Sequence, residues 1–166
     1  RGTGIEGYLA ALDRALERIA CFGASAIVVA LAMPVLGAAA DFSGRKKAFL
    51  GWTTAGTILL TVALFWVRPG MVLEAFLIFV AANILFEAAA VFYNGFLPEL
   101  ASTRKMGRIS GFGWGMGYVG GLLCLVLALG MVQLWLPEED GLNIRATTLL
   151  AAAWYAVFAL PFFFLV

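Results

Sequence analysis

The sequence contains no histidine and only two cysteines among its 166 residues. Without an imidazole, a catalytic triad that needs a histidine base is excluded. Both cysteines, Cys21 and Cys124, lie inside apolar runs, where a cysteine behaves as a small hydrophobic residue. We therefore expect no disulfide framework and no zinc site, and the sequence predicts no enzyme, no metal and no cofactor.

Charged residues are also scarce: they make up 13% of the chain, against 63% hydrophobic residues. The mean hydropathy is +0.98. A soluble domain carries about 25% charged residues, so this chain has too few polar side chains to cover a water-exposed surface. The net charge of +1 does not suggest a nucleic-acid partner. The sequence predicts a multi-pass membrane protein whose main surroundings are lipid.

Five apolar stretches are long enough to cross a bilayer, which takes about 20 residues in a helix. An open sheet would leave backbone groups unpaired in hydrocarbon, so the spans are predicted to be helices. The fold class is therefore an all-α polytopic transmembrane bundle. The predicted spans cover residues 19–40, 48–67, 71–93, 112–136 and 146–166.

Residues 1–18 are predicted to form an amphipathic lead-in to a transmembrane bundle of residues 19–166. Apolar residues from Ile5 to Leu16 recur at helical spacing, and the charged residues fall on the other side. One interpretation is a helix that lies in the membrane interface. The other is a helix that packs against a neighbouring segment outside this sequence.

The loops between the predicted spans alternate in charge. Basic residues cluster at 45–47 and 104–108, whereas the loop at 137–145 is acidic. Basic loops stay on the cytoplasmic side of a membrane, so the chain is predicted to begin outside and to end inside. Because the sequence starts without methionine and ends inside an apolar run, we expect it to be an internal segment of a longer protein. The expected location is a bacterial inner membrane.

The first basic loop has an ordered spacing of glycine, aspartate, glycine and cations. Its residues are Gly37, Asp41, Gly44, Arg45, Lys46 and Lys47. Gly37 would allow close helix contact, and Gly44 would permit a positive φ. An ordinary basic cytoplasmic loop is the alternative. The full spacing resembles the signature loop of the major facilitator superfamily, except that Phe42 stands where a basic residue is usual. The resemblance implies that the loop gates transport through contacts between two halves of the protein.

Three strings in order carry a narrower resemblance, at residues 34–41, 91–100 and 107–121. The most specific is Phe-Tyr-Asn-x-x-Leu-Pro-Glu at 92–99. Together they are similar to the vacuole effluxer (autophagy-related) family of that superfamily and its bacterial relatives. The resemblance implies a major facilitator fold of about twelve helices, of which this chain would hold helices two to six, in the N-terminal half. Fungal members are known for exporting amino acids from the vacuole.

Glu87 is an ionisable residue inside a predicted span. A charge there costs on the order of 2.5–3.5 kcal/mol, so the side chain should face a cavity or a partner. Asn83 and Asn94 share its helix face, and we expect the three residues to line the transport path. Because burial disfavours the charged form of a carboxyl group, Glu87 is also a candidate proton carrier. The alternative is a structural hydrogen bond to a neighbouring helix, for example to a threonine of the second span.

Two further patterns are predicted to be structural. Residues 115–120 fit the fingerprint GxGxxG, but dinucleotide binding needs a preceding strand in a βαβ unit. Gly113, Gly117 and Gly121 instead recur every four residues, which predicts a groove for close packing of another helix. The threonine stripe at 53, 57 and 61 is expected to bond across helices or to its own backbone.

Taken together, the sequence predicts part of a secondary active transporter. It would move a small solute, with amino acids and protons as candidates, by alternating access. Its other partners would be the lipid bilayer and the remainder of the same chain, with no nucleic acid. The alternative is a membrane scaffold or accessory subunit that transports nothing, which the lack of a catalytic constellation also allows.

Overall fold

The computed structural model describes residues 44–100 and 103–165 and, before them, residues 23, 27, 31, 34, 37 and 38. These earlier positions are all helical and fall where the first span is predicted. The predicted lead-in at 1–18 and Asp41 lie outside the described residues. Every regular element in the described part of the chain is helical, which confirms the all-α fold class.

The described elements are five helices joined by short turns, some of them tighter or wider than an α-helix. In chain order they are α1 (Lys46–Ala63), a 3-10 turn (Leu64–Trp66), α2 (Val72–Asn94), α3 (Leu97–Leu100), α4 (Thr103–Gly130), a π-helical turn (Met131–Trp135), a 3-10 turn (Glu139–Gly141) and α5 (Leu142–Leu165).

Within the described residues, four helical stretches are long and apolar enough to cross a membrane. They are Lys46–Trp66, Val72–Asn94, Arg104–Trp135 and Glu139–Phe164. Two helices begin earlier than the apolar runs suggest, because α4 starts at Thr103 and α5 at Leu142. Hydropathy detects only the portion of a helix that lies in hydrocarbon, whereas backbone hydrogen bonding continues into the polar layer. The cations at 104–108 therefore lie on a helix rather than in a loop.

Helix α1 is the centre of the described bundle and packs against both α2 and α5. We call the end that carries residues 44–47 and 104–108 the basic end, and the end that carries residues 64–72 and 131–142 the acidic end. The hydrophobic core lies toward the basic end and consists of Leu50, Ala88, Ala89, Phe92 and Phe96, covered by Val91, Phe162 and Phe163.

Aromatic rings hold this core together across three helices. The Phe49 and Phe92 ring centroids are 5.6 Å apart, which joins α1 to α2. The Phe96 and Phe162 centroids are 5.3 Å apart in an edge-to-face arrangement, which joins the segment after α2 to α5. Each such pair contributes about 0.5–1.5 kcal/mol beyond the area it buries. The basic end of α1, α2 and α5 is thus the best-packed region of the described chain.

The threonine stripe of α1 is satisfied within its own helix. The hydroxyl groups of Thr53, Thr57 and Thr61 donate to the backbone carbonyls of the residues four positions earlier, at 2.9, 2.9 and 2.8 Å. This is one of the two expected arrangements. The stripe therefore leaves no hydroxyl donor without an acceptor on this side of α1.

Of the four long helices, α4 makes the fewest contacts with the rest of the described bundle. None of the residues in its most apolar stretch is buried by the described part of the chain. Its nearest approach to α5 along the glycine-rich portion is at Gly120, where an added Cβ would lie 3.9 Å from the indole nitrogen of Trp154. An apolar helix with this exposure is stable in lipid or against a further helix, but not in water.

Candidate functional site

The polar residues Asn83, Glu87 and Asn94 lie on α2, which runs as one helix from Val72 to Asn94. At about 100° per residue, the three side chains leave the helix axis within about 40° of one another. Asn83 is halfway along the helix, and Glu87 is one turn nearer the basic end. Asn94 is the last residue of the helix, about 10 Å beyond Glu87 at a rise of about 1.5 Å per residue.

This polar face points away from α1. The residues that α2 buries are Ala82, Ala88, Ala89 and Phe92, and the last three pack with Leu50 of α1 in the core. Helical geometry places the centre of the buried group about 180° around the axis from Glu87. Asn83 and Glu87 are half-buried, and Asn94 is exposed. The polar face is therefore turned away from the α1–α2 contact.

Glu87 makes no hydrogen bond and no ion pair with the residues that the structure describes. The threonines considered as partners donate to the backbone of α1 instead, and α1 lies on the opposite side of α2. In the described part of the chain, every fully buried side-chain polar atom has a hydrogen-bond partner. Glu87 has no such partner there, so its carboxyl oxygens are not fully buried. The arrangement does not provide the hydrogen bond to a threonine of the second span that was the alternative interpretation of Glu87.

The candidate gating loop is described at both of its ends. Gly44 has a φ of +64°, the left-handed conformation that favours glycine. Arg45 precedes α1, and Lys46 and Lys47 are its first residues. Gly37 faces α2, because an added Cβ there would lie 3.4 Å from Val91 Cγ1. Asp41 lies between these ends and outside the described residues, so the gating role of the loop stays a prediction.

The glycine stripe of α4 has no described neighbour. An added Cβ at Gly113, Gly117 or Gly121 would meet nothing within 4 Å in the described part of the chain. Trp114 and Tyr118, on the same helix, are exposed, and their ring centroids are 6.1 Å apart. The packing role assigned to these glycines therefore stays a prediction.

The structure also shows a group of contacts at the acidic end that the sequence analysis missed. Arg145, in the first turn of α5, donates from Nε to the backbone carbonyl of Phe65 at 2.7 Å. Its guanidinium carbon also lies 5.0 Å from the centre of the Phe65 ring. These two residues are 80 positions apart, so no local pattern could have paired them. An arginine at the start of an apolar run was the only available signal.

A second missed contact joins α1, α2 and α5 within the predicted membrane region. The Tyr155 hydroxyl group of α5 lies near the Thr54 side chain of α1, and Thr54 is only 5% exposed. The Tyr155 ring lies edge-on to Phe86, with centroids 5.7 Å apart. Phe86 precedes Glu87, so this contact helps set the rotation of α2 about its axis.

Comparisons with known proteins agree with these features. The family described as "Vacuole effluxer Atg22 like" matches residues 18–107 and 102–166. The chain is 28% identical over 141 residues to the "Uncharacterized MFS-type transporter YxiO" of Bacillus subtilis (strain 168). That alignment covers 82% of this chain and 33% of the Bacillus protein, so the chain spans about a third of that relative's length.

No solved structure matches the chain. The two family matches together cover all but the first residues, and they include the three strings at 34–41, 91–100 and 107–121. This confirms the resemblance found in the sequence. The chain is part of a multi-pass membrane protein, and it belongs to the vacuole effluxer Atg22-like family.

Proposed function

We propose that this chain forms part of a secondary active transporter in which the polar face of α2 lines the path of a small solute. The observation that carries the proposal is Glu87. It is a half-buried carboxylic acid on an apolar helix, it has no partner among the described residues, and it points away from the α1–α2 contact.

The energetics favour a cavity beside this face. Placing an ionisable side chain against lipid costs on the order of 2.5–3.5 kcal/mol, so such residues face water, a partner or a substrate path. Asn83 adds an amide that donates and accepts hydrogen bonds, at the middle of the same helix. Transporters hold their substrates near the bilayer midplane. Asn83 and Glu87 therefore form the solute-binding part of the face, and Asn94 lies at its cytoplasmic exit.

The kind of solute follows from the residues and from the family. A carboxyl group and an amide together can bind an ammonium group and a polar backbone, which are the features of an amino acid. The family description, vacuole effluxer, agrees with the movement of a small solute. Amino acids are therefore the first solutes to test, with proton exchange at Glu87 as the candidate coupling step, in a bacterial inner membrane.

The loop between the first span and α1 is the candidate gate. Gly37 lies close to Val91 on α2, and Gly44 makes the turn into α1 in a left-handed conformation. In this proposal Asp41 and the cations at 45–47 hold one state of the transporter at the cytoplasmic end. They contribute to the exchange between states rather than to solute binding, because they lie beyond the end of the predicted span.

The test uses the full-length protein in proteoliposomes. Uptake and efflux of labelled amino acids are measured with and without a proton gradient, for the wild type, Glu87→Gln and Glu74→Gln. Glu74 is a matched control, because it is also a glutamate on α2 but is exposed in the first turn of the helix. We expect Glu87→Gln to abolish acceleration by the gradient, and Glu74→Gln to transport like the wild type.

Two results would count against the proposal in different ways. If Glu87→Gln kept the wild-type rate and pH profile, Glu87 would have no part in transport. If the wild type moved no solute across a broad panel, with the protein correctly folded and inserted, the scaffold or accessory-subunit interpretation would replace the transporter.

A further inference from the structure

The acidic end of the bundle contains two arginines in unlike settings. Arg145 is half-buried at the start of α5, where it contacts Phe65 at the end of α1. Arg68 lies in the turn between α1 and α2, 3.8 Å from Asp140, and both side chains are mostly exposed, at 67% and 64%. Both arginines lie at the end predicted to be outside, where the positive-inside rule makes cations less frequent, so their positions call for an explanation.

The Arg145 contact satisfies a specific need of α1. The last carbonyl groups of a helix have no partner within the helix, and they carry the negative end of its dipole. The Phe65 carbonyl lies in the 3-10 turn that ends α1, and the Arg145 guanidinium bonds to it at 2.7 Å. The same guanidinium lies over the Phe65 ring at 5.0 Å. One side chain of α5 thus caps the turn that ends α1 and contacts an aromatic ring of that turn.

A second bond extends the contact to the end of α4. Asn143 is 5% exposed and donates from Nδ2 to the carbonyl of Val132 at 3.2 Å. Val132 lies in the π-helical turn that ends α4, where the wider coil changes the usual carbonyl pairing. Asn143 and Arg145 are two residues apart on α5. The first turn of α5 therefore holds the ends of two other helices.

We infer that Asn143 and Arg145 form a clamp that makes the acidic ends of α1, α4 and α5 move as one body. In this assignment Arg145 is a positioning residue: it touches no solute and acts through the Phe65 carbonyl. The clamp rests on the proposed function only for its effect on transport. Its structural claim, that α1 and α5 stay together at this end, stands whether or not the protein transports.

Arg68 provides the internal comparison. Exposed ion pairs contribute little to stability and are screened by salt, whereas a hydrogen bond from a charged group to a half-buried carbonyl is stronger and less screened. Removing Arg68 should therefore leave the clamp intact. Removing Arg145 should release the end of α1.

The experiment measures a distance across the clamp in the full-length protein in nanodiscs. Spin labels are placed at Leu59→Cys on α1 and Leu149→Cys on α5, because both leucines are exposed. The background has every native cysteine of the full-length protein replaced by serine, Cys21 and Cys124 among them. Double electron–electron resonance then compares the parent with Arg145→Gln, Arg145→Lys and Arg68→Gln. Solute flux is measured on the same preparations.

We expect one narrow distance distribution for the parent and for Arg68→Gln, and a broadened or longer distribution for Arg145→Gln. Arg145→Lys keeps the charge but loses the planar guanidinium, so it should lie between them. If Arg145→Gln does not fold, Arg145→Lys decides the question. A parent-like distribution for the Arg145 variant that folds, or an equal change in Arg68→Gln, overturns the clamp. An altered distance in a protein whose parent moves no solute leaves the clamp standing and rejects the transporter.

Discussion

Gly56 of α1 and Leu85 of α2 meet so closely that a Cβ added at Gly56 would lie 2.6 Å from Leu85 Cδ1. This contact lies on the side of α2 opposite to Glu87. Small residues let helix backbones approach in a membrane, where packing rather than the hydrophobic effect drives association. The close approach of α1 and α2 therefore depends on the missing side chain at Gly56, and it fixes which way the polar face of α2 points.

Replacing Gly56 should separate the two helices in proportion to the size of the new side chain. Gly56→Leu is expected to destabilise the protein by about 1–3 kcal/mol, as overpacking does. Gly56→Ala should cost less, because the end of the Leu85 side chain can rotate away. Thermal unfolding in detergent measures both. An unfolding temperature for Gly56→Leu equal to that of the wild type would show that the helices do not meet here.

The glycine stripe of α4 gives a contrasting prediction. Gly117 has no described neighbour within 4 Å, so a larger side chain there disturbs nothing in the described part of the chain. If another helix packs against the stripe, as its spacing predicts, Gly117→Leu should reduce the stability and transport of the full-length protein. Phe112→Leu, on the same exposed helix, is the control. Tolerance of Gly117→Leu would mean that the stripe faces lipid.

The turn before α1 tests the gating loop. Gly44 has a φ of +64°, and a residue with a Cβ pays about 1–2 kcal/mol there. Asparagine accepts this conformation better than a β-branched residue does. We expect Gly44→Val and Asp41→Ala to slow transport while solute binding persists, and Gly44→Asn to behave nearly as the wild type. Isothermal titration separates binding from flux, and equal loss of both would remove the gating role.

The sequence was most informative where structure depends on near neighbours. Apolar runs predicted the ends of α1 and α2 to within a few residues. The threonine stripe donates to backbone carbonyls four positions earlier in the same helix, which was one of the two arrangements predicted for it. The starts of α4 and α5 were placed too late, because the first turns of both helices carry residues such as Arg104 and Arg145 that hydropathy assigns to loops. The polar face of α2 followed from helical periodicity alone.

The contacts that were missed join residues far apart in the chain. Arg145 and Phe65 are 80 positions apart, and Tyr155 and Thr54, whose side chains lie near each other, are farther apart still along the chain. Neither pair has a spacing that indicates a contact, because the contacts arise only when α5 packs against α1. The sequence alone also could not predict which way the polar face of α2 points relative to α1, since that direction depends on how the helices pack against one another.

Water access to the polar face of α2 is the most direct test of the central claim, that this face lines a solute path. Every native cysteine of the full-length protein, including Cys21 and Cys124, is replaced by serine. In this background, Asn83→Cys, Glu87→Cys and Leu85→Cys are treated in sealed vesicles with a membrane-impermeant thiol reagent. We predict that Asn83→Cys and Glu87→Cys react, because water reaches the polar face, whereas Leu85→Cys, which faces Gly56, stays unlabelled. If Asn83→Cys and Glu87→Cys stayed unlabelled, or Leu85→Cys reacted as fast as they do, the account would be contradicted.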